Sequence, residues 1–267
     1  MEQSEIKNRL SDILYAVDTD DWDELINHIN EYLLYDEIDQ MELVKDILYC
    51  DKTKALPKEV LDLVEDILNE EIEKGNSDAA NDLGVLYYTG RNGKQSYAQA
   101  FHYYELAAKM GNTYAQENLG YCYYYGRDCE IDYEKAFQYF SLGAFRGDVR
   151  SLYKIGDMYR NGYYVEKNEA EAYAIYDRCE QELSMETYQE TGPDIYMRLG
   201  DCANYGVGRN IDYSEALQYY QHAEQLFYKR LQTGDFLIKG CYEKVIRCQT
   251  EVREKMRKEL PDYNWTN

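Results

Sequence analysis

Histidine, cysteine and carboxylate side chains could bind a metal, carry a nucleophile or move a proton, and their spacing in this chain supports none of these. The three histidines are His28, His102 and His222, and no cysteine or carboxylate recurs beside His102 or His222 at metal-ligand spacing. The run Asp18-Thr-Asp-Asp-Trp-Asp-Glu24 has the oxygens calcium favours. An EF-hand, however, needs ligands at alternate positions and glycine at the sixth, where Trp22 and Asp23 intrude. No Gly-x-Ser-x-Gly elbow, P-loop or dinucleotide fingerprint occurs, and Gly206-Val-Gly208 follows no strand pattern, so it reads as an interhelical turn. Seven cysteines are an odd number without the density of a disulfide framework. Cys241 and Cys248 would stand about 10 Å apart along one helix, too far to bond. In a chain with 51 acidic residues, carboxylate pairs carry no information without a pocket. The expectation is a protein with no catalytic residue, no metal and no cofactor.

What the sequence does contain is a repeat. Leu83-Gly84, Leu119-Gly120, Ile155-Gly156 and Leu199-Gly200 fall 36, 36 and 44 residues apart. A second glycine stands six residues after each, at Gly90, Gly126, Gly162 and Gly206, and Ala100, Ala136, Ala172 and Ala216 keep the same intervals. Three marks in one register at this period are a helical-repeat signature. Each unit reads as two antiparallel helices. Ala115, Leu119, Cys122 and Tyr123 form the apolar stripe of a first helix, and Ala136, Phe137, Tyr139, Phe140 and Gly143 that of a second. A mid-helix glycine costs about 1 kcal/mol relative to alanine, so its recurrence predicts a close helix approach that a Cβ would block. The later glycine suits a left-handed helix end. Ser96, Asp132, Asn168 and Asp212 are N-cap types, and Gln99, Glu171 and Glu215 complete a capping-box pattern in three of the four units.

Ala79, Leu83-Gly84, Tyr87 and Gly90, followed by Tyr97, Ala100, Tyr103-Tyr104, Ala107-Ala108 and Gly111, resemble the Sel-one-like repeat family, relatives of the tetratricopeptide repeats. The second unit matches equally well. The third departs at Glu180 and Leu183, and the fourth at Ala203, Glu224 and Phe227. The resemblance covers about residues 75–227. It implies an all-α, right-handed α-solenoid of antiparallel helix pairs that mediates protein contacts, without fixing a partner. Some members of the family bind cell-wall-related compounds, and some secreted members bridge the two helices of each repeat with disulfides; the positions needed for those bridges do not recur here.

Residues 1–74 read as a degenerate helical cap: helices over 4–17, 21–35 and 39–50, then a fourth after Pro57 that reaches Lys74 with Val60, Leu61, Val64, Ile67 and Leu68 inward. Asp20 or Asp21 would cap the second helix, whose buried face is Trp22, Leu25, Ile26 and Ile29. The array is expected over 75–234, with units at about 77–111, 112–147, 148–192 and 193–234, and a capping helix over 235–260. The eight extra residues of the third unit, between Arg178 and Asp194, are expected to lengthen a helix that ends at Gly192 and restarts at Pro193; the alternative is a functional insertion on one edge of the solenoid, around Glu182 to Glu190.

Formal net charge is −22, of which residues 1–76 carry −15, while residues 236–260 hold seven basic groups against four acidic. Such acidity argues against nucleic acid. The polar N-terminus shows no secretory pattern, and the longest apolar run, Tyr121 to Tyr125, is far short of a membrane span. A reduced, cytoplasmic protein that binds neither nucleic acid nor membrane is expected. Thirty-one tyrosines are the compositional oddity, and many fall on the packing stripes.

On the opposite face of the first helices the repeat does not dictate residue type. That face reads Asp78, Asn81, Val85 and Tyr88, then Tyr114, Glu117, Tyr121 and Tyr124. The third unit supplies Arg150, Tyr153, Asp157 and Arg160, and the fourth Asp194, Met197, Asp201 and Asn204. By the resemblance this face is the concave wall. The candidate protein-binding residues are therefore Tyr88, Tyr114, Glu117, Tyr121, Tyr124, Arg150, Tyr153, Asp157, Arg160, Asp201 and Asn204, aromatic and arginine types being those that dominate interfaces. The expected function is a non-enzymatic adaptor for a protein or peptide partner. The alternatives are a self-associating structural or regulatory protein, or a binder of small molecules.

Overall fold

A computed structural model describes residues 1–17, 22–49, 56–91, 93, 95–232 and 238–259. Among them every regular element is a helix. In chain order these are α1 (Gln3–Ala16), α2 (Asp23–Leu34), α3 (Gln40–Tyr49), α4 (Lys58–Glu73), α5 (Ser77–Thr89), α6 (Tyr97–Lys109) and α7 (Thr113–Tyr125). Then follow α8 (Tyr133–Phe145), α9 (Val149–Asn161), α10 (Glu169–Gln181), α11 (Met185–Glu190), α12 (Gly192–Tyr205), α13 (Tyr213–Gln232) and α14 (Lys239–Glu259). None is long and apolar enough to cross a membrane.

By packing the chain divides into two units, Met1–Asp132 and Tyr133–Asn267, a division that falls between the two helices of the second repeat. In unit 1 the core runs from Ile6 and Leu10 of α1 through Leu25, Ile29, Leu43 and Ile47 to Val60, Val64 and Ile67 of α4, and on to Leu83 and Leu86 of α5. In unit 2 it joins Tyr176 of α10, Leu199 and Cys202 of α12, Tyr220 and Phe227 of α13, and Val245 and Val252 of α14.

The repeat is built by its punctuation. Gly90, Gly126, Gly162 and Gly206 end the first helices at φ of 70°, 65°, 72° and 73°, where any residue with a Cβ is strained. The chain then turns back, and the backbone N–H of Ser96, Asp132, Asn168 and Asp212 donates to the carbonyl of Tyr87, Tyr123, Tyr159 and Ala203, at 2.9, 3.0, 2.8 and 2.9 Å. Ser96, Asn168 and Asp212 cap the second helices by accepting from the N–H of Gln99, Glu171 and Glu215. Asn76, Asn112 and Asp148 cap the next first helices in the same way.

The mid-helix glycines have the role expected of them. A Cβ on Gly84 would meet the Tyr104 ring at 2.6 Å, one on Gly156 the Tyr176 ring at 2.7 Å, and one on Gly200 the Tyr220 ring at 2.6 Å. The first, third and fourth repeats thus each use a glycine to seat a tyrosine from their own second helix; the matching residue of the second repeat is Phe140.

Two expectations need correction. The third unit's insertion does not lengthen α10, which stops at Gln181; it forms the separate short helix α11, opened by a capping box between Ser184 and Thr187. Gly192 is not a terminator but the first residue of α12, close beside Leu226. Tyr188 of α11 holds the insertion in place through a hydrogen bond with His222 and an edge contact with Tyr196. At α2 the cap position is Trp22, while Asp18 to Asp21, the first four residues of the calcium-like run, lie outside the described residues.

Candidate functional site: the first-helix face

In unit 1 the face is made by α5 and α7, and a chain of amides stitches the two helices together. Asn112 caps α7 through its Oδ1 and, through Nδ2, donates to Asp78 Oδ1 at 2.7 Å. Asn118 donates to Asn81 Oδ1 at 3.0 Å, and Asn81 donates to Asp82 Oδ1 at 3.4 Å. Asp82 is only 8% exposed, and its Oδ2 is buried with no hydrogen-bond partner among the described residues. Burial pushes its carboxyl up to about 6, against the pull of the Asn81 hydrogen bond and the Lys45 charge. Around these polar groups lie the tyrosines. Tyr88 is tilted against Tyr97 and Tyr104, Tyr121 stacks on Tyr125, and Tyr124 meets Tyr125 edge-on at 4.8 Å. Glu117 is buried, whereas Tyr114 is 60% exposed.

Unit 2 builds the same face from α9, α12 and α14, but with ions. Arg198 of α12 reaches back to Asp157 of α9 with Nε to Oδ1 and Nη2 to Oδ2, both 2.6 Å. Its guanidinium lies 4.3 Å above the centre of the Tyr153 ring, and Lys154 Nζ stands 3.6 Å from Asp157. Arg160 pairs with Asp201 at 3.0 Å, and Lys255 of α14 donates to Asn204 at 2.9 Å. Burial pushes the Asp157 carboxyl up, but the charge and hydrogen bonds of Arg198 outweigh it and hold the group below the usual carboxylate value. Asp157 and Asp201 each follow a mid-helix glycine, and each accepts the hydroxyl of the tyrosine packed on that glycine: Tyr176 at 2.8 Å and Tyr220 at 2.7 Å.

The structure therefore places the candidate residues unevenly. Tyr153, Asp157 and Asn204 are buried; Asp157 lies in the polar seam between α9 and α12, across which Arg160 and Asp201 also pair, while Asn204 is bonded by Lys255 of α14. Arg150 is turned to its own cap residue, Asp148. Tyr88, Tyr121 and Tyr124 are half-buried, and Tyr114 is the open one. The sequence reading missed Asp82, Asn118, Lys154 and Arg198. A signal was present: these four share one register position, two before the mid-helix glycine, while Val85, Tyr121, Asp157 and Asp201 share the position one after it. Bases in the first set face acids in the second only where both belong to unit 2.

Nothing on this face is arranged as a nucleophile. Cys122 and Cys202 are unbonded and buried, and burial pushes their thiols up to about 12, away from thiolate chemistry. Among the described residues no cluster of histidine, cysteine or carboxylate groups is placed to hold a metal ion.

Helix pairs, seated tyrosines and a seam of polar groups define a helical-repeat protein, and the comparisons specify which. The Sel1 repeat model matches residues 77–112, 113–148, 149–178 and 194–226, just over half of the chain, so the chain belongs to the Sel1 repeat family and its fold is an all-α solenoid. It is similar to a Sel1 repeat protein from Oxalobacter formigenes, at 24% identity and a TM-score of 0.49 over 60% of this chain and 63% of that one. It is also similar to c5321, a protective antigen with an SLR fold present in uropathogenic Escherichia coli strains. There the identity is 19% and the TM-score 0.52, over 93% of this chain and 56% of that one. The chain thus spans less than two thirds of the length of either protein. No curated protein matches it.

Proposed function

We propose that the chain is a non-enzymatic adaptor that binds a protein partner through the face of its first helices. The observation that supports this reading is Tyr114, Tyr121 and Tyr124 of α7. They are aromatic side chains at positions the repeat leaves free, and Tyr114 is open to solvent. Tyrosine offers a large contact area with few rotatable bonds, and so costs little ordering entropy on binding. Arg160 does not belong to the binding set, because its pairing with Asp201 makes it part of the seam.

The test is capture of partners from the native cell by the full chain and by a Tyr114→Ala/Tyr124→Ala variant, read by mass spectrometry. The variant should keep its helical circular dichroism and lose the captured protein. Unchanged capture by the folded variant would move the site off this face. A self-associating role is distinguished by sedimentation, which should show a monomer at micromolar concentration.

A further inference from the structure

Two breaks in the repeat pattern meet on one strip of the surface of unit 2. The first is Tyr164, eight residues after its mid-helix glycine, where the other repeats have Asn92, Asp128 and Gly208. The backbone is left-handed there, with φ of 58° at Asp128, 64° at Tyr164 and 69° at Gly208. Asparagine, aspartate and glycine tolerate that conformation, whereas a tyrosine adopts it only with backbone strain. Burial does not offset the strain, because Tyr164 is 54% exposed. The second break is Phe145 on the last turn of α8. The matching residues are Lys109, Gln181 and Gln225, yet Phe145 is 91% exposed.

Tyr164 forms one wall of a shallow groove of about 490 Å³ whose other lining residues are Phe137, Gln138, Ser141 and Leu142 of α8. It reaches the groove from the turn after α9. Its ring stands 5.6 Å from that of Phe137, and its hydroxyl donates to Glu134 Oε1 at 3.4 Å. Gln138, Ser141, Leu142 and Phe145 follow at helical spacing, so Phe145 continues the same face. From Phe137 to Phe145 the strip is about 12 Å long. Strained backbone persists where the side chain it presents has a use. The lining also states what would fit. No charged side chain lines the groove, although 30% of the chain is charged. A charge entering it would lose water without meeting a counter-ion, while an apolar side chain would cover Phe137, Leu142 and Tyr164.

We infer that this strip of α8, with Tyr164, is a second docking surface, which takes an uncharged segment of a protein partner carrying two large apolar side chains of leucine or phenylalanine type. One enters between Phe137, Leu142 and Tyr164, and the other covers Phe145. Gln138 and Ser141 supply hydrogen bonds to the segment's backbone. The inference goes beyond the adaptor reading, which concerns the first helices, and does not depend on it.

The test pans a library of short random peptides on the full chain, after depletion on a Tyr164→Asn/Phe145→Ser variant, and measures the survivors as labelled synthetic peptides by anisotropy. The survivors should be uncharged, with two leucine or phenylalanine residues, and their affinity should not change with salt. Tyr164→Asn, the residue of the first repeat, and Phe145→Ser should each weaken binding about tenfold. Both variants should keep wild-type melting, since Phe145 is open and asparagine suits the left-handed backbone. Tyr114→Ala/Tyr124→Ala should leave binding unchanged, which separates this surface from the first-helix face. If Tyr164→Asn melts lower than wild type, Phe145→Ser alone decides. No peptide surviving depletion, charged survivors, or full binding by Phe145→Ser overturns the inference. A dimer in sedimentation that Phe145→Ser dissolves would give the strip to a second copy, and would overturn it too.

Discussion

Asp82 in unit 1 and Asp157 in unit 2 are both buried carboxylates on first helices, and they have opposite fates. Asp157 is enclosed by Arg198, Lys154 and Tyr176 and is held ionised. Asp82 has one weak amide contact, and burial drives it towards the protonated form. The surrounding architecture is the same, down to a glycine that seats a tyrosine from the second helix in each case. Packing is therefore the constant of this repeat and electrostatics its variable, and the two should separate under mutation.

The largest effect is expected at the paired acid. Arg198→Met leaves Asp157 buried with only Lys154 opposing it, and breaking such a pair costs about 3–5 kcal/mol. Arg198→Met/Asp157→Asn should recover much of that loss. Denaturant melts of the two variants check this, and a single variant as stable as wild type would show that the seam contributes nothing.

Next comes pH, where the two acids have opposite signs. Asp82 binds its proton more tightly folded than unfolded. Stability should therefore fall as pH rises from about 4, the ordinary carboxylate value, to about 6, by roughly 3 kcal/mol at most. Asp82→Asn, the residue Asn118 supplies at the same register, should flatten that window. Asp157 is held below its ordinary value, so its contribution is complete above about pH 4 and is lost as pH falls further. Melting as a function of pH, with each variant in turn, should resolve the two slopes.

The glycines should not distinguish the units. Gly84→Leu and Gly200→Leu each force a side chain into a tyrosine ring now 2.6 Å from the site of a Cβ, and overpacking costs about 1–3 kcal/mol. Comparable losses are expected in both, and a large difference would break the claim that packing is constant. The smallest effect is at Tyr114→Ala, where an exposed ring should change stability by less than about 0.5 kcal/mol.

How much of this was legible in the sequence follows the same line. Leu83-Gly84 and its successors, the second glycines and the cap residues Asn112, Ser96 and Asp212 were readable because helix stops and starts are decided by neighbours in the chain. Arg198 and Asp157 were not paired by that reading, because they lie 41 residues apart and meet only once successive first helices stand side by side. The insertion was misread for a local reason. Thr191-Gly192-Pro193 has the residue types of a helix stop, but the capping pair Ser184 and Thr187 already opens α11 before it, and Gly192 begins α12. The division at Asp132 and Tyr133 has no mark in the sequence, since the second repeat matches the family pattern on both sides of it.

The turn that closes each repeat has a further use. The amides of Ser96, Asp132, Asn168 and Asp212 are each tied to a carbonyl near the end of the preceding helix. Each is expected to exchange its hydrogen with solvent when its own turn opens and that bond breaks. Opening free energies vary along a chain from near zero up to the global value. Four equivalent protons, one per repeat, therefore work as built-in clocks. Their exchange rates, read together in a single experiment, rank the repeats by the ease with which each comes undone.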